Sequence, residues 1–255
     1  MESQSKTASV RRKRPGAEAS RSTILKASLA EFAEQSLAGA RMDAIAAAAG
    51  VNKALLYYYF RSKEALYEAV LEEFFQHLRE RISTALDSDA SAGERILLYA
   101  RVHFDTVAES RYYARLFQSE MMSAAREDSP RFSHIVDQYL KPIALRVMAL
   151  LRAGAESGEF RRVDPAQFMP TMVSSIVWYF VVSPVLRRLR PGDPYSEEAI
   201  LLRRAAVLDF IAAALFVDRD AGLKLAARIA NETPETYFSS ETSALPGEDV
   251  RGRRK

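Results

Sequence analysis

Lys53, Ala54 and Leu55 stand just past a glycine-containing turn, and Tyr57 and Tyr58 follow at helical spacing. A lysine can donate to guanine O6 and N7 and a leucine can touch a thymine methyl, provided that both project from a helix lying in a DNA major groove. The stretch around them supplies such a helix. Ala40 to Leu66 (ARMDAIAAAAGVNKALLYYYFRSKEAL) reads as a short helix, a tight turn, a second short helix and the start of a third. Ile45 and Ala46 sit four residues ahead of Ala49-Gly50, and Leu56 follows the glycine by six, a spacing that suits two helices crossing steeply over a short turn. Gly50 can take positive φ without a Cβ penalty and close the first helix. Asn52 can cap the second by accepting an otherwise unpaired backbone N–H. The run Tyr57-Tyr58-Tyr59-Phe60 has ordinary core packing as its bland explanation. Successive helical side chains point about 100° apart, however, so four consecutive aromatics cannot all face inward. Leu56 and Phe60 form an inner stripe, and Tyr57 and Tyr58 are left outside. The pattern is that of a helix-turn-helix, whose second helix reads base edges.

Catalytic templates find no match. His77, His103 and His134 are isolated, with no HExxH or other ligand spacing, and GxSxG, Walker and GxGxxG motifs are absent. With no cysteine, disulfides, thiolate metal sites and thiolate nucleophiles are excluded. No cofactor is expected. The second half holds His103, Phe104, Tyr113, Phe117, Met121, Met148, Met172 and Trp178, residue types that line adaptable apolar sites. Core packing is the better explanation of each of them taken singly; together they are the candidate ligand-binding set.

Ile45-Ala46, Ala49-Gly50-Val51, Leu56 to Phe60 and Ser62-Lys63-Glu64-Ala65-Leu66 resemble the N-terminal DNA-binding domain of the TetR (tetracycline repressor) family. The likeness runs from about Arg21 to Leu71; beyond it, only the architecture is shared. The resemblance implies an all-α protein, a DNA-binding head followed by a helical domain that binds an effector and dimerises. It also implies that Tyr59, where the family often has His, and Lys63 grip phosphates, contacts that position without specifying. Two residues depart from the pattern. Ser36 replaces a helix-ending glycine, and Arg41 replaces a Ser or Thr cap, leaving Arg41 as either a neutral replacement or a further phosphate contact.

The elements that must position these residues follow from charge and periodicity. Residues 1–66 carry eleven Lys/Arg against six Asp/Glu, while the rest carries 25 against 27. Positive charge is thus concentrated where phosphates would bind. The expected organisation is a disordered basic arm (1–19), a DNA-binding domain (20–66), a ligand-binding and dimerisation domain (67–231) and a disordered polar tail (232–255). Expected helices are 20–35, the two of the motif, one from Ser62 to about Leu86, then 92–109, 111–122, a single helix over 130–155, 165–182, 196–217 and 220–230. Residues 184–194 read as a proline-punctuated connection, and no strands are expected. Helices 165–182 and 196–217 are apolar on wide faces, which predicts burial on two sides and a two-fold homodimer. The polar, basic start has no secretory character, and Met169–Leu186 is interrupted by Pro170 and Pro184, so a cytoplasmic protein without membrane contact is expected. The predicted function is a regulator, a repressor leaving a palindromic duplex DNA operator on binding a small, largely hydrophobic effector. A helical scaffold or ligand-binding protein that has lost DNA binding is the alternative, with a helical enzyme a more distant one.

Overall fold

Helix caps and apolar stripes lay down the architecture in chain order. The computed structural model describes residues 17–109, 111–125 and 129–232. The expected basic arm up to residue 16 and the tail from residue 233 lie outside the described residues, while residues 17–19, assigned to the arm, are helical. α1 (Ala17–Gly39) is broken at Ser36, whose φ of 58° and ψ of 173° belong to glycine. A serine forced into that region costs on the order of 1–3 kcal/mol. It holds because the Ala40 N–H closes a turn on the Ser36 carbonyl at 3.1 Å. α2 (Met42–Ala48), α3 (Lys53–Phe60) and α4 (Lys63–Leu86) follow, and the last two start and stop where the sequence predicts. Asn52 and Ser62 explain this, each side-chain oxygen accepting the N–H three residues on, from Leu55 at 2.7 Å and Ala65 at 3.0 Å. Ile24, Phe32, Ile45, Leu56, Phe60 and Leu66 make the core beneath these helices.

α4 is about 36 Å long at 1.5 Å per residue and carries the chain into a second group of helices. These are α5 (Ala92–Ala108), α6 (Arg111–Ala124), α7 (Pro130–Ile135), α8 (Lys141–Glu156), α9 (Pro165–Val181), α10 (Ser183–Leu189), α11 (Glu197–Leu215) and α12 (Arg219–Asn231). Two expectations need correction. The single helix over 130–155 is interrupted by a π-helical turn, Val136–Leu140, in which the Lys141 N–H reaches back to Val136. Pro142 has no N–H to give to the Gln138 carbonyl, so the ladder slips by one residue there. The connection 184–194 is partly helical: Pro184 sits in the first turn of α10, where its missing N–H costs nothing.

An isolated bridge pairs Phe160 with Phe216, where no pairing was expected. Arg161 N–H donates to the Leu215 carbonyl at 2.9 Å and Val217 N–H to Glu159 at 3.1 Å. The two rings meet edge to face, and Gly93, Gly154 and Gly222 close on them so tightly that a Cβ on Gly154 would lie 2.0 Å from the Phe160 ring. Among the described residues no single helix is long and apolar enough to cross a membrane; α9 and α10 meet that length and composition only together, and they are bent by 64°.

Candidate nucleic-acid interface

Packing decides which side chains α3 offers outward. Leu56 and Phe60 are buried against the head core, as the aromatic run predicts, while Tyr57 and Tyr58 are 40% and 77% exposed. Lys53 and Ala54 are exposed at the first turn, and Leu55 and Tyr59 are half-buried. The Tyr59 ring lies edge-on to Tyr58, centroids 5.5 Å apart. Lys53, Ala54, Tyr57 and Tyr58 therefore share one open face, with Leu55 at its margin. Gly50, at φ 65°, makes the turn that sets α3 across α2. Asn52 is exposed, but its carbonyl oxygen is committed to the cap, leaving its amide for an outside acceptor.

The cations around this face are not equivalent. Lys53 Nζ lies 2.9 Å from Asp43 Oδ1 in the first turn of α2. The hydrogen bond and charge of that pair hold the Asp43 carboxyl below its ordinary value and the Lys53 ammonium above its own. Lys63 Nζ donates to the carbonyls of Ala38 and Ala40, at 3.1 and 3.2 Å, tying the start of α4 to the end of α1. In this conformation it closes the head rather than reaching out. Arg41 offers no side-chain cap to α2; its backbone N–H donates to Glu31 Oε1 at 3.0 Å, and its side chain is exposed.

Residues 24–70 match the family described as bacterial regulatory proteins, tetR family, and residues 94–211 match the tetracyclin repressor-like C-terminal domain. The chain is 31% identical over 177 residues to the HTH-type transcriptional repressor SCO4008 of Streptomyces coelicolor, covering 69% of this chain and 85% of that one. The chain belongs to the TetR family. It is accordingly a DNA-binding, helix-turn-helix transcriptional regulator. Among solved structures, the ketosteroid transcriptional regulator KstR2 of Mycobacterium tuberculosis shares the fold at a TM-score of 0.57 and 24% identity, covering 82% of this chain and 92% of that one. AibR, solved with isovaleryl coenzyme A and operator DNA, does so at 0.58 and 18%, covering 73% and 95%.

In this TetR-family chain the candidate ligand-binding residues divide. Phe104 and Met172 are fully buried, and Tyr113 and Phe117 pack inward on α4, Tyr113 stacked 4.1 Å from Phe74 and Phe117 5.6 Å from Phe75. Met148 is half-buried on α8. His103 is buried, its Nδ1 3.2 Å from the Tyr99 hydroxyl, and burial pushes its pKa down to about 4, so it is neutral at pH 7. Two residues do not join them. Trp178 is 60% exposed, because α9 turns Met172, Ile176 and Phe180 inward and carries Trp178 to the opposite side. Met121 is 40% exposed on α6, one residue past the inward-facing Glu120.

Sequence reading missed the buried polar groups. Glu120, 2% exposed, accepts from the Tyr67 hydroxyl at 3.0 Å and from Arg131 Nε at 3.1 Å. The Arg131 guanidinium also lies 4.9 Å from the centre of the Tyr67 ring, and that ring meets Phe32 of α1 edge-on at 5.0 Å. The head is thus joined to α6 and α7 by one chain of contacts. Deeper, Asp105 on α5 faces Arg204 on α11 at 3.6 Å, and Arg204 donates to the Ala230 carbonyl of α12 at 2.7 Å. Burial pushes the Asp105 pKa up to about 7, against the pull of Arg204, Arg101 and Arg81. Glu120 left a signal, as one charge in an otherwise uncharged stripe of α6; Asp105 left none, because Arg101 and Glu109 stand one turn to either side of it. Beside Glu120's partners, a cleft of about 320 Å3 opens between α4 and α7, lined by Glu68, Leu71, Glu72, Pro130, Arg131, His134 and Ile135, none of them in the candidate set.

Proposed function

We propose that this chain is a cytoplasmic, non-enzymatic repressor that binds a palindromic operator as a homodimer and leaves it on binding a small, largely hydrophobic effector. The observation that carries the DNA half is the open face of α3, where Lys53, Ala54, Tyr57 and Tyr58 project from a helix pinned by Leu56 and Phe60. Lys53 and Leu55 meet base edges, while Tyr59, Arg41 and Lys63 meet the backbone, Lys63 after exchanging its carbonyl partners for a phosphate. The head comprises 20–66 and the body 67–231.

Dimerisation is supported by the outer faces of α9 and α11. The two helices lie side by side, tied by Arg203 Nη2 donating to the Ser175 carbonyl at 2.8 Å. On their outer side Trp178, Leu202 and Phe210 are 60%, 66% and 52% exposed, with Ala205 and Ala206 between them. Apolar faces of this extent are covered by a partner in stable proteins, and a second copy does so with two-fold symmetry, matching two half-sites.

The effector binds among His103, Phe104, Tyr113, Phe117, Met148 and Met172, a reading supported by their turning inward on the body helices. The isovaleryl coenzyme A and operator DNA bound by the similarly folded AibR support a regulator that takes both kinds of partner. The effector must favour a conformation with altered head separation, since only differential affinity shifts the equilibrium. Titrating a duplex selected by the protein from a random library, then repeating with hydrophobic carboxylates and acyl thioesters present, tests the whole reading. Expected are saturable, salt-dependent binding and its loss with a compound that also raises the melting temperature. Salt-insensitive or absent DNA binding would favour the scaffold alternative.

A further inference from the structure

Within the DNA-facing surface, one carboxylate stands where a polyanion would approach. Asp43 is exposed in the first turn of α2, near Arg41, and reaches across the turn to Lys53 at 2.9 Å. A carboxylate beside DNA phosphates weakens binding unless it does something else. We propose that Asp43 is a specificity-determining residue of the head, holding Lys53 so that its ammonium is aimed at a base edge and withheld from phosphates. This rests on the reading of α3 as the recognition helix.

The geometry supplies the means. Lys53 sits on a four-carbon stem whose side chain is half exposed, so alone it would sweep a wide arc and pair with whichever phosphate came near. With one N–H on Asp43, the ammonium keeps two donors. These suffice for guanine O6 and N7, so the pair survives on the correct sequence. On a wrong sequence no acceptor matches, and leaving for a phosphate strands Asp43 in the field of the backbone. Asp43 thus lowers non-specific affinity more than specific affinity.

The experiment compares the wild type with Asp43→Asn, Lys53→Ala and the double variant, on the library-selected duplex and on a scrambled one, at several salt concentrations. Asp43→Asn is expected to tighten scrambled DNA and reduce the selected-to-scrambled ratio by about tenfold, within what one base contact discriminates. The freed lysine should steepen the log K–log salt slope on scrambled DNA by about 0.9 for each subunit engaged. In the Lys53→Ala background the same change should leave the ratio where it was. An unchanged ratio in Asp43→Asn overturns the proposal. So does an equal gain on both duplexes that persists without Lys53, since it would mark Asp43 as a mere repulsive charge. A wild-type chain that bound neither duplex would remove the DNA-binding reading itself, and this inference with it; binding with an indifferent Asp43→Asn removes the inference alone.

Discussion

Phe210→Ala provides the sharpest test of the assembly. Phe210 ends the exposed apolar stripe of α11, about one turn beyond Ala206 and two beyond Leu202, and is 52% exposed in the single chain. An aromatic side chain offers about 200 Å2, so roughly 100 Å2 is open to a partner. At about 25 cal/mol/Å2 this is worth at most ~2.5 kcal/mol per subunit. Two-fold symmetry counts it twice, and truncation to Ala should therefore cost up to ~5 kcal/mol of dimer stability, or between three and four decades in dissociation constant. Sedimentation velocity across a wide concentration range would show the monomer appearing, with Leu145→Ala on α8 as the control because Leu145 is equally exposed but far from the stripe in sequence. Ala206→Glu should act in the same direction by setting a charge on the covered face. Ile211, apolar and on the same helix, is not a usable probe: it is fully buried in its own subunit, and charging it would unfold the chain. A dimer unmoved by Phe210→Ala would place the interface elsewhere.

Three further outcomes are expected. Lys63→Ala should weaken selected and scrambled duplexes alike and flatten the salt slope by about 0.9 per lost contact, approaching twice that for a dimer; because Nζ also holds the Ala38 and Ala40 carbonyls, the melting temperature should fall as well, and an unchanged slope would leave Lys63 a purely internal clamp. Asp105 has its folded pKa raised to about 7 from 3.8, so its stabilising contribution is complete below pH 4 and is lost as pH rises toward 7. Asp105→Asn should then gain on the wild type in denaturation midpoint across that window, and a relative loss would show that the ion pair with Arg204 outweighs burial. Gly154→Ala should destabilise by more than ~1–3 kcal/mol in chemical denaturation, since its Cβ would meet the Phe160 ring at 2.0 Å; near-wild-type stability would mean that the clasp yields easily.

The parts of the molecule that were legible in the sequence are those governed by local chemistry. Asn52 and Ser62 start α3 and α4 through bonds to residues three positions on, and Gly50 makes the turn between α2 and α3, so the motif could be read residue by residue. The outward placement of Tyr57 and Tyr58 followed from periodicity alone. Direction inside the body was harder because α9 and α11 carry apolar residues over wide faces. Met172 and Trp178 are then equivalent in pattern, and only the packing of α5, α8 and α11 against α9 makes one of them core and the other surface. The π-helical turn before Pro142 and the Phe160–Phe216 bridge depend on partners distant in the chain or on a ladder defect, neither of which periodicity reports. Lys63 shows a third case. Its resemblance-derived role says nothing of the carbonyls it holds when no DNA is present.

Continuity through α4 has a practical consequence for anyone recombining this regulator with its relatives. A junction at residues 66/67, where the motif ends, would cut between Leu66 and Tyr67 in the second turn of a helix that runs unbroken to Leu86. It would also strip the head of Tyr67, Val70 and Leu71, buried side chains that α1 needs as its floor. The seam that respects the packing lies after Leu86, in the short turn before α5, where the backbone is already out of helix. A head grafted there brings its whole lever arm, and with it Tyr67, whose partner Glu120 belongs to the recipient body. Exchangeability of heads within the family therefore depends on whether the donor's α4 and the recipient's α6 agree, at the Tyr67–Glu120 hydrogen bond and at the rings of Phe74 and Phe75 that meet Tyr113 and Phe117.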